Sequence, residues 1–290
     1  MKHKIGYVVL HYNSFDVTKK CVDSILRVCS KTSKIILVDN NSSNDSGLLL
    51  DQEYTKYPQV YLLSNKENLG FAKGNNIGYC AAKNIFQCDI IVDMNNDVEI
   101  LQRDFEKKLI SLIECTNCDV IAPNIVNDDG VKQNPLRLSR LSNYSLKRTL
   151  FLYRLLFVFS HVGLFYRCFK FFFTKRFVKK RKTWERRTIS NCYNIVPHGA
   201  CIIFLSSYIE KTDFAFPPIT FFYGEEDVLF DYLTINNYVT FYANDLLVRH
   251  HEKSSTNLTY KTNRERDKFV SKNVCKSIKA TLKYRKKYRL

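Results

Sequence analysis

Two apolar runs that each end in polar residues do most to limit what this chain can fold into. Residues 5–10, Ile-Gly-Tyr-Val-Val-Leu, are continuous and rich in β-branched side chains. A parallel strand buried on both faces reads this way. Asn13-Ser14-Phe15-Asp16 follows as a turn and helix N-cap. Val17, Cys21 and Ile25 then recur at helical spacing, with Val22 and Leu26 beside them. A second buried run at 34–38 closes in Asp39-Asn40-Asn41-Ser42-Ser43. Strand, helix and strand in that order imply an open α/β sheet, because parallel neighbours need a crossover. The pattern continues with a short strand at 60–63, a glycine- and asparagine-rich turn at 68–76, and a helix through Ala81 and Ala82. A fourth strand at 89–92 runs into Asp93-Met94-Asn95-Asn96-Asp97, and a short fifth is expected at 120–122. Ligands of such sheets bind beyond the carboxyl ends of the strands.

The second half has a different texture. From about 138 to 182 the chain is basic and aromatic, with Phe151-Leu152-Tyr153-Arg154-Leu155-Leu156-Phe157 and Phe171-Phe172-Phe173-Thr174-Lys175-Arg176. A membrane-crossing helix needs about 20 mostly apolar residues, and Arg154, His161, Arg167 and Lys170 interrupt this stretch. Two readings stand: an interfacial amphipathic segment, or a helical insertion packed on the sheet. Strand-like order returns after Asn191, in the run from Ile195 to Phe204 and in Leu246-Leu247-Val248-Arg249-His250-His251. From Lys261 onward the chain reads as a basic helix.

The formal net charge of +17 points to a polyanionic partner: nucleic acid, an anionic membrane surface, or phosphorylated substrates. The ten cysteines are scattered through the expected helices and strands and follow no secretory signal. They are read as small core residues of a protein in a reducing cytosol. Cys115 and Cys118 form a C-x-x-C without the second pair that a zinc site needs.

Five places carry chemistry. Asp39, at a strand's carboxyl end, can accept hydrogen bonds from a ribose or base edge, or simply cap a helix. Asn95-Asn96-Asp97 places hard oxygen ligands just past a buried strand, where a divalent metal on a diphosphate needs them. Glu225-Glu226-Asp227 follows an aromatic run, and adjacent acids raise each other's pKa, which suits a base that takes a hydroxyl proton. His250 at a strand end can ligate the same metal or contact donor phosphates. His198 stands beside Gly199, whose backbone can approach a ligand closely.

These segments together resemble the family 2 glycosyltransferases with a GT-A fold, and within them the bacterial rhamnosyltransferase-like group. The resemblance rests on His11-Tyr12-Asn13, Val38-Asp39-Asn40-Asn41-Ser42, the stretch Asn68 to Asn76, Met94-Asn95-Asn96-Asp97-Val98, His198-Gly199-Ala200-Cys201, Phe222-Tyr223-Gly224-Glu225-Glu226 and His250-His251-Glu252-Lys253-Ser254-Ser255-Thr256. It covers roughly 3–125 and 191–256. It implies one catalytic domain over 1–260, with a donor half at 1–125, an insertion at about 138–190 and an acceptor half at 191–260. A basic helical extension follows at 261–290. It also implies an α/β, Rossmann-like, mostly parallel sheet that binds a nucleotide-sugar. Tyr12, Asn13, Asp39, Asn68, Gly70, Lys73, Asn75, Asn95 and Asn96 would meet the donor. Asp97, helped by His250, would hold Mn2+ or Mg2+. Glu226, with Asp227 next to it, takes the base position, and His198, Gly199 and Glu225 lie on the acceptor side. Two departures matter: Asn95 stands where the family's D-x-D segment has its first acid, and the base motif reads Glu-Glu-Asp.

The implied reaction is inverting transfer from a UDP- or dTDP-sugar to a growing glycan, often lipid-linked, in bacterial surface polysaccharide synthesis. The expected place is the cytoplasm, at the periphery of the inner membrane face, because anionic lipid attracts each nearby cation by roughly 1 kcal/mol. A nucleic-acid-binding protein is the rival that the charge suggests. No zinc pattern, helix-turn-helix or RNP-like run supports it, so no nucleic-acid partner is expected. A binding module without catalysis would lack the acids at 97 and 226. A sugar nucleotidyltransferase would want a glycine-rich basic loop where Tyr12-Asn13-Ser14-Phe15 stands.

Overall fold

The computed structural model of the chain describes residues 3–162, 166, 189–251 and 262–290. The aromatic run at 171–176 and the end of the closing motif, from Glu252 to Thr256, lie outside the described residues. Strands β1 (Ile5–His11), β2 (Lys34–Asp39), β3 (Val60–Ser64) and β4 (Ile90–Asn95) pair in parallel in the order β3-β2-β1-β4. Helices α1 (Phe15–Leu26), α2 (Ser46–Tyr54) and α3 (Gly70–Cys80) make the crossovers. The alternation of each strand fixes the layers. Tyr7, Val9, Ile35 and Leu37 face one core, which α1, α2 and α4 (Phe105–Cys115) cover with Cys21, Ile25, Leu50 and Phe105. Val8, Ile36, Val38 and Ile91 face the other, which α3 covers with Ala72 and Tyr79.

Beyond β4 the sheet is mixed. β8 (Cys201–Leu205) runs antiparallel to β4, with Met94 opposite Cys201. β6 (Val120–Asn127) runs antiparallel to β8 and parallel to β9 (Thr240–His250). The two-residue strands β5 (Val98–Glu99) and β7 (Cys192–Tyr193) pair with β9. The strand expected at 120–122 is therefore longer, and β8 separates it from β4. Its register against β9 shifts between Pro123 and Asn124. A bulge tolerates a proline that has no N–H to give, so the strand continues where the apolar pattern stops.

This order positions the site. Two reversals, at β8 and again at β6, bring the start of β8 and the end of β9 to the edge where β1, β2 and β4 end. The register confirms that edge: His11 pairs with Asp39, Leu10 with Asn95, and Asn95 N–H donates to Ala200 O at 2.9 Å.

Helices α5 (Asn143–Phe159), α6 (Glu225–Ile235) and α7 (Asn263–Tyr288) complete the fold. Within the described part of the stretch expected as an insertion the helix α5 forms, and the C-terminal helix is present. Leu146 and Leu150 of α5 pack against Ile278 of α7. Arg285 of α7 is buried, with Nε donating to Asp231 of α6 at 2.5 Å and Nη1 to Leu141 O at 2.6 Å. All described cysteines are free. Among the described residues no helix is long and apolar enough to cross a membrane.

Candidate active site

A cavity of about 570 Å³ opens at the shared strand edge. Its lining includes Leu10 and Tyr12 at the end of β1, Asn40 after β2, and Asn95, Asn96 and Asp97 at the end of β4. Asn68 and Phe71 line one side, His198, Gly199 and Ala200 another, and the segment from Phe221 to Glu226 a third. His250 and, from α7, Phe269 complete the wall.

The turn after β4 is held from behind. Asn96 Nδ2 donates to Ser14 Oγ at 3.1 Å and Thr18 Oγ1 at 2.9 Å, so this amide anchors the turn to α1. Asp97 O accepts His251 N–H at 2.8 Å. The two expected metal ligands meet here, with Asp97 Oδ1 3.3 Å from His250 Nε2. His250 Nδ1 lies 2.8 Å from Gln133 Oε1, an atom that can only accept. An Nδ1 proton donated to that oxygen leaves Nε2, on the Asp97 side, as the nitrogen that can ligate. A hydrogen bond on the far nitrogen that fixes the ligating one is the usual setting of a metal-bound histidine. A carboxylate and an imidazole nitrogen side by side suit a divalent ion, which Asp97 and His250 would hold and which would supply positive charge at the cavity. Among the described residues no group of three His, Cys, Asp or Glu side chains forms a closed metal cage.

The same cavity is lined by the acids Glu225 and Glu226. Tyr223 and Gly224 both have left-handed backbones, with φ of 69° and 84°, and this pair turns the chain so that α6 starts at the cavity. Glu226 faces Gly199: a Cβ at Gly199 would stand 2.9 Å from Glu226 Oε1, and the Gly199 backbone acts to lower the carboxyl pKa. Burial raises the Glu226 pKa and the Asp227 charge raises it further, while Arg137 lowers it. Glu225 is buried, and burial, then the Glu226 charge, pushes its pKa up to about 8. Asp227 turns away from the cavity and pairs with Arg137 Nη2 at 2.6 Å. Nothing in the local sequence marks Arg137 as its partner. On the acceptor side, His198 Nδ1 accepts Ala200 N–H at 3.1 Å, which leaves Nε2 as the protonated nitrogen of a neutral ring.

The remaining expected donor residues divide. Asp39 Oδ1 accepts from the Ser42 N–H at 3.1 Å and hydroxyl at 2.5 Å. Gly47 lies so near that a Cβ there would come 2.5 Å from Asp39 Oδ2. Asn13 Oδ1 accepts Ser43 N–H at 2.7 Å, so Asn13 and Asp39 brace one loop beside the cavity. Asn68 Oδ1 accepts from Asn40 Nδ2 at 3.1 Å and Gly70 N–H at 2.9 Å. Gly70, with φ of 76°, backs onto Phe221 O, which a Cβ would meet at 2.3 Å. Lys73 is exposed and Asn75 buried on α3, and neither lines the cavity. Two residues went unassigned in the sequence. Asn40 ties the 65–70 turn to β2 through Asn65, Leu69 and Gly70. His11 bonds Thr18 and Ser46 at 2.7 and 2.8 Å and is kept neutral by burial, with its pKa lowered to about 4.

A family model described as glycosyl transferase family 2 matches residues 7–180. The low-salt glycan biosynthesis hexosyltransferase Agl10 of Haloferax volcanii is 23% identical over 134 residues, 46% of this chain and 40% of that protein. The chain thus spans less than half the length of the curated relatives it matches. S. aureus TarS 1–349, solved in complex with UDP-GlcNAc, superposes with a TM-score of 0.55 at 14% identity, over 86% of this chain and 59% of that one. The mannosyltransferase PcManGT of Pyrobaculum calidifontis, solved with GDP-Man and Mn2+, gives 0.56 at 11% identity, over 97% and 74%. At these identities the likeness is one of fold, and the fold is GT-A.

Proposed function

The chain belongs to glycosyl transferase family 2, and from that premise we propose that it transfers a sugar from a UDP- or dTDP-sugar to a glycan or lipid-linked glycan acceptor, with inversion. The observation that carries this reading is the convergence of Glu226 and the Asp97–His250 pair on one cavity. The TarS complex with UDP-GlcNAc and the PcManGT complex with GDP-Man and Mn2+ support a nucleoside-diphosphate donor and a divalent ion.

The loop at Asp39 and Asn13 receives the nucleoside, and the Asn40–Asn68 turn shapes the wall beside it. Asp97 and His250 Nε2 are the residues that hold Mn2+ or Mg2+, and a bound ion neutralises charge on the departing diphosphate. Glu226 takes the proton of the acceptor hydroxyl as that oxygen attacks the anomeric carbon from the face opposite the leaving group, which inverts the centre. Gly199 leaves the room that the Glu226 carboxylate occupies, and the raised pKa makes it a stronger base than a solvated carboxylate. Protonated Glu225 and His198 Nε2–H supply donors on the acceptor side. Residues 1–260 serve as the catalytic unit, and the setting we favour is assembly of a bacterial surface polysaccharide.

A panel of UDP- and dTDP-sugars, assayed for hydrolysis with Mn2+, Mg2+ or chelator, tests the proposal. Turnover of one donor in the presence of metal is expected, with Asp97→Asn losing it. Hydrolysis of no donor, or equal rates in chelator, would contradict the reading.

A further inference from the structure

The positive charge of this chain is not spread evenly. No acid occurs between Asp129 and Glu185, and none after Asp267. These two stretches together carry more positive charge than the net +17 of the whole chain, so the remainder is net negative. The described parts of both stretches are neighbours in space. α5 and α7 pack antiparallel: Arg285 near the end of α7 bonds Leu141 O, and Arg264 near its start bonds Ser160 O.

Their outward faces are ordered. On α7, Lys272, Lys276, Lys279, Lys283 and Lys286 are all exposed. Steps of four and three keep them on one side of the helix, along about 21 Å at 1.5 Å per residue. On α5, Tyr144, Phe151 and Val158 recur every seventh residue and are 76%, 60% and 56% exposed. Lys147, Arg148 and Arg154 stand exposed among them. The two stripes flank one seam, where the Cys275 thiol of α7 lies 3.9 Å from Leu150 O of α5 and feels the charges of both Arg154 and Lys279. A solvated helix face of ordinary composition interleaves acids with its lysines, and this one has none. Aromatic and aliphatic side chains set among cations match the interface of an anionic bilayer. The same helix reaches the cavity: Phe269 of α7 lines it, and Ser277 Oγ donates to the carbonyl of cavity residue Phe222 at 2.9 Å.

We propose that the joined outer faces of α5 and α7 dock the protein on an anionic lipid surface, with the lysine stripe on the headgroups and Phe151 and Val158 inserted between them. The protein then lies with the α7 side of its cavity toward the membrane, where a lipid-linked acceptor is presented.

The test is co-sedimentation of the whole chain with vesicles of phosphatidylcholine alone, or of equal parts phosphatidylcholine and phosphatidylglycerol. Binding to the mixed vesicles at low salt and release at high salt are expected, with none to phosphatidylcholine alone. Each cation near an anionic surface contributes roughly a fivefold factor in partitioning. Lys272→Gln, Lys276→Gln, Lys279→Gln and Lys283→Gln together lower it by roughly 600-fold. Phe151→Ser with Val158→Ser removes the part that survives moderate salt. All six side chains are exposed, and an unchanged melting temperature verifies that the variants fold. No binding of the parent chain to mixed vesicles, or equal binding by the quadruple variant, overturns the proposal. So does tight binding to a random-sequence oligonucleotide without vesicle binding, which would assign the face to nucleic acid. The assay contains no donor, so its failure is distinct from failure of the transfer reading.

Discussion

Gly199 lacks a side chain where Glu226 needs the room. A Cβ there would press on Glu226 Oε1 at 2.9 Å, so Gly199→Ala should displace the carboxylate. A misplacement of this size costs on the order of 100-fold in turnover. Donor affinity, measured by titration, should stay within about twofold, since only the reacting geometry is disturbed. Glu225 gives a second prediction. Its pKa is raised from 4.5 to about 8 in the fold. A carboxyl group raised on folding contributes its full stability below the unfolded value and loses it as pH rises through the folded one. Glu225→Gln should therefore gain melting temperature relative to the parent as pH rises from about 4.5 to about 8. A constant difference across that range would contradict the burial account. The acids at 225–227 were legible as a cluster, but their division of labour was not. Neighbours on a helix point about 100° apart, so one of Glu226 and Asp227 faces the cavity. Which one depends on the left-handed pair at Tyr223 and Gly224 and on Arg137, far away in sequence.

At the scale of elements, α7 is anchored as firmly as a core helix. Arg285 is 2% exposed, and its partner Asp231 is fully buried. Removing one member of such a pair leaves the other charge without its ion-pair partner, at a cost of about 3–5 kcal/mol. Arg285→Ala should lower the denaturation midpoint accordingly, and Arg285→Met with Asp231→Leu should recover most of the loss. Equal loss in the single and double variants would show that packing rather than charge holds α7. The sequence displayed α7 as a basic helix with no sign of this anchor, because Arg285 is one cation among many and Asp231 lies on another element. β1, α1 and β2 were legible nearly to the residue, since their signals are local: a buried run, a repeat of apolar positions and a polar turn. β6 was cut short in the reading at Pro123, where only the bulge against β9 explains how the strand continues.

For the whole molecule, two reversals of strand direction turn scattered motifs into one site. The donor-side edge follows from parallel crossovers and could be read directly. The arrival of His250 and Gly199 at that edge depends on β8 lying between β4 and β6. No local pattern encodes such long-range pairing; only the resemblance pointed there. Linkage supplies a test at this scale. UDP or dTDP together with Mn2+ or Mg2+ should raise the melting temperature by several degrees. A ligand at 100 times its Kd stabilises by about 2.7 kcal/mol. Metal or nucleotide alone should do far less, and Asp97→Asn and His250→Ala should each remove the joint increment.

The central claim is that Glu226 is the base that shares one cavity with the Asp97–His250 pair. Donor hydrolysis, in which water replaces the acceptor hydroxyl, tests it most directly when rate and metal-nucleotide stabilisation are measured on the same variants. Glu226→Gln should lose about 100- to 10,000-fold in rate while keeping the full thermal shift, and Asp227→Asn should retain most of the rate. Hydrolysis at the parent rate in Glu226→Gln, with loss in Asp227→Asn, would contradict the account.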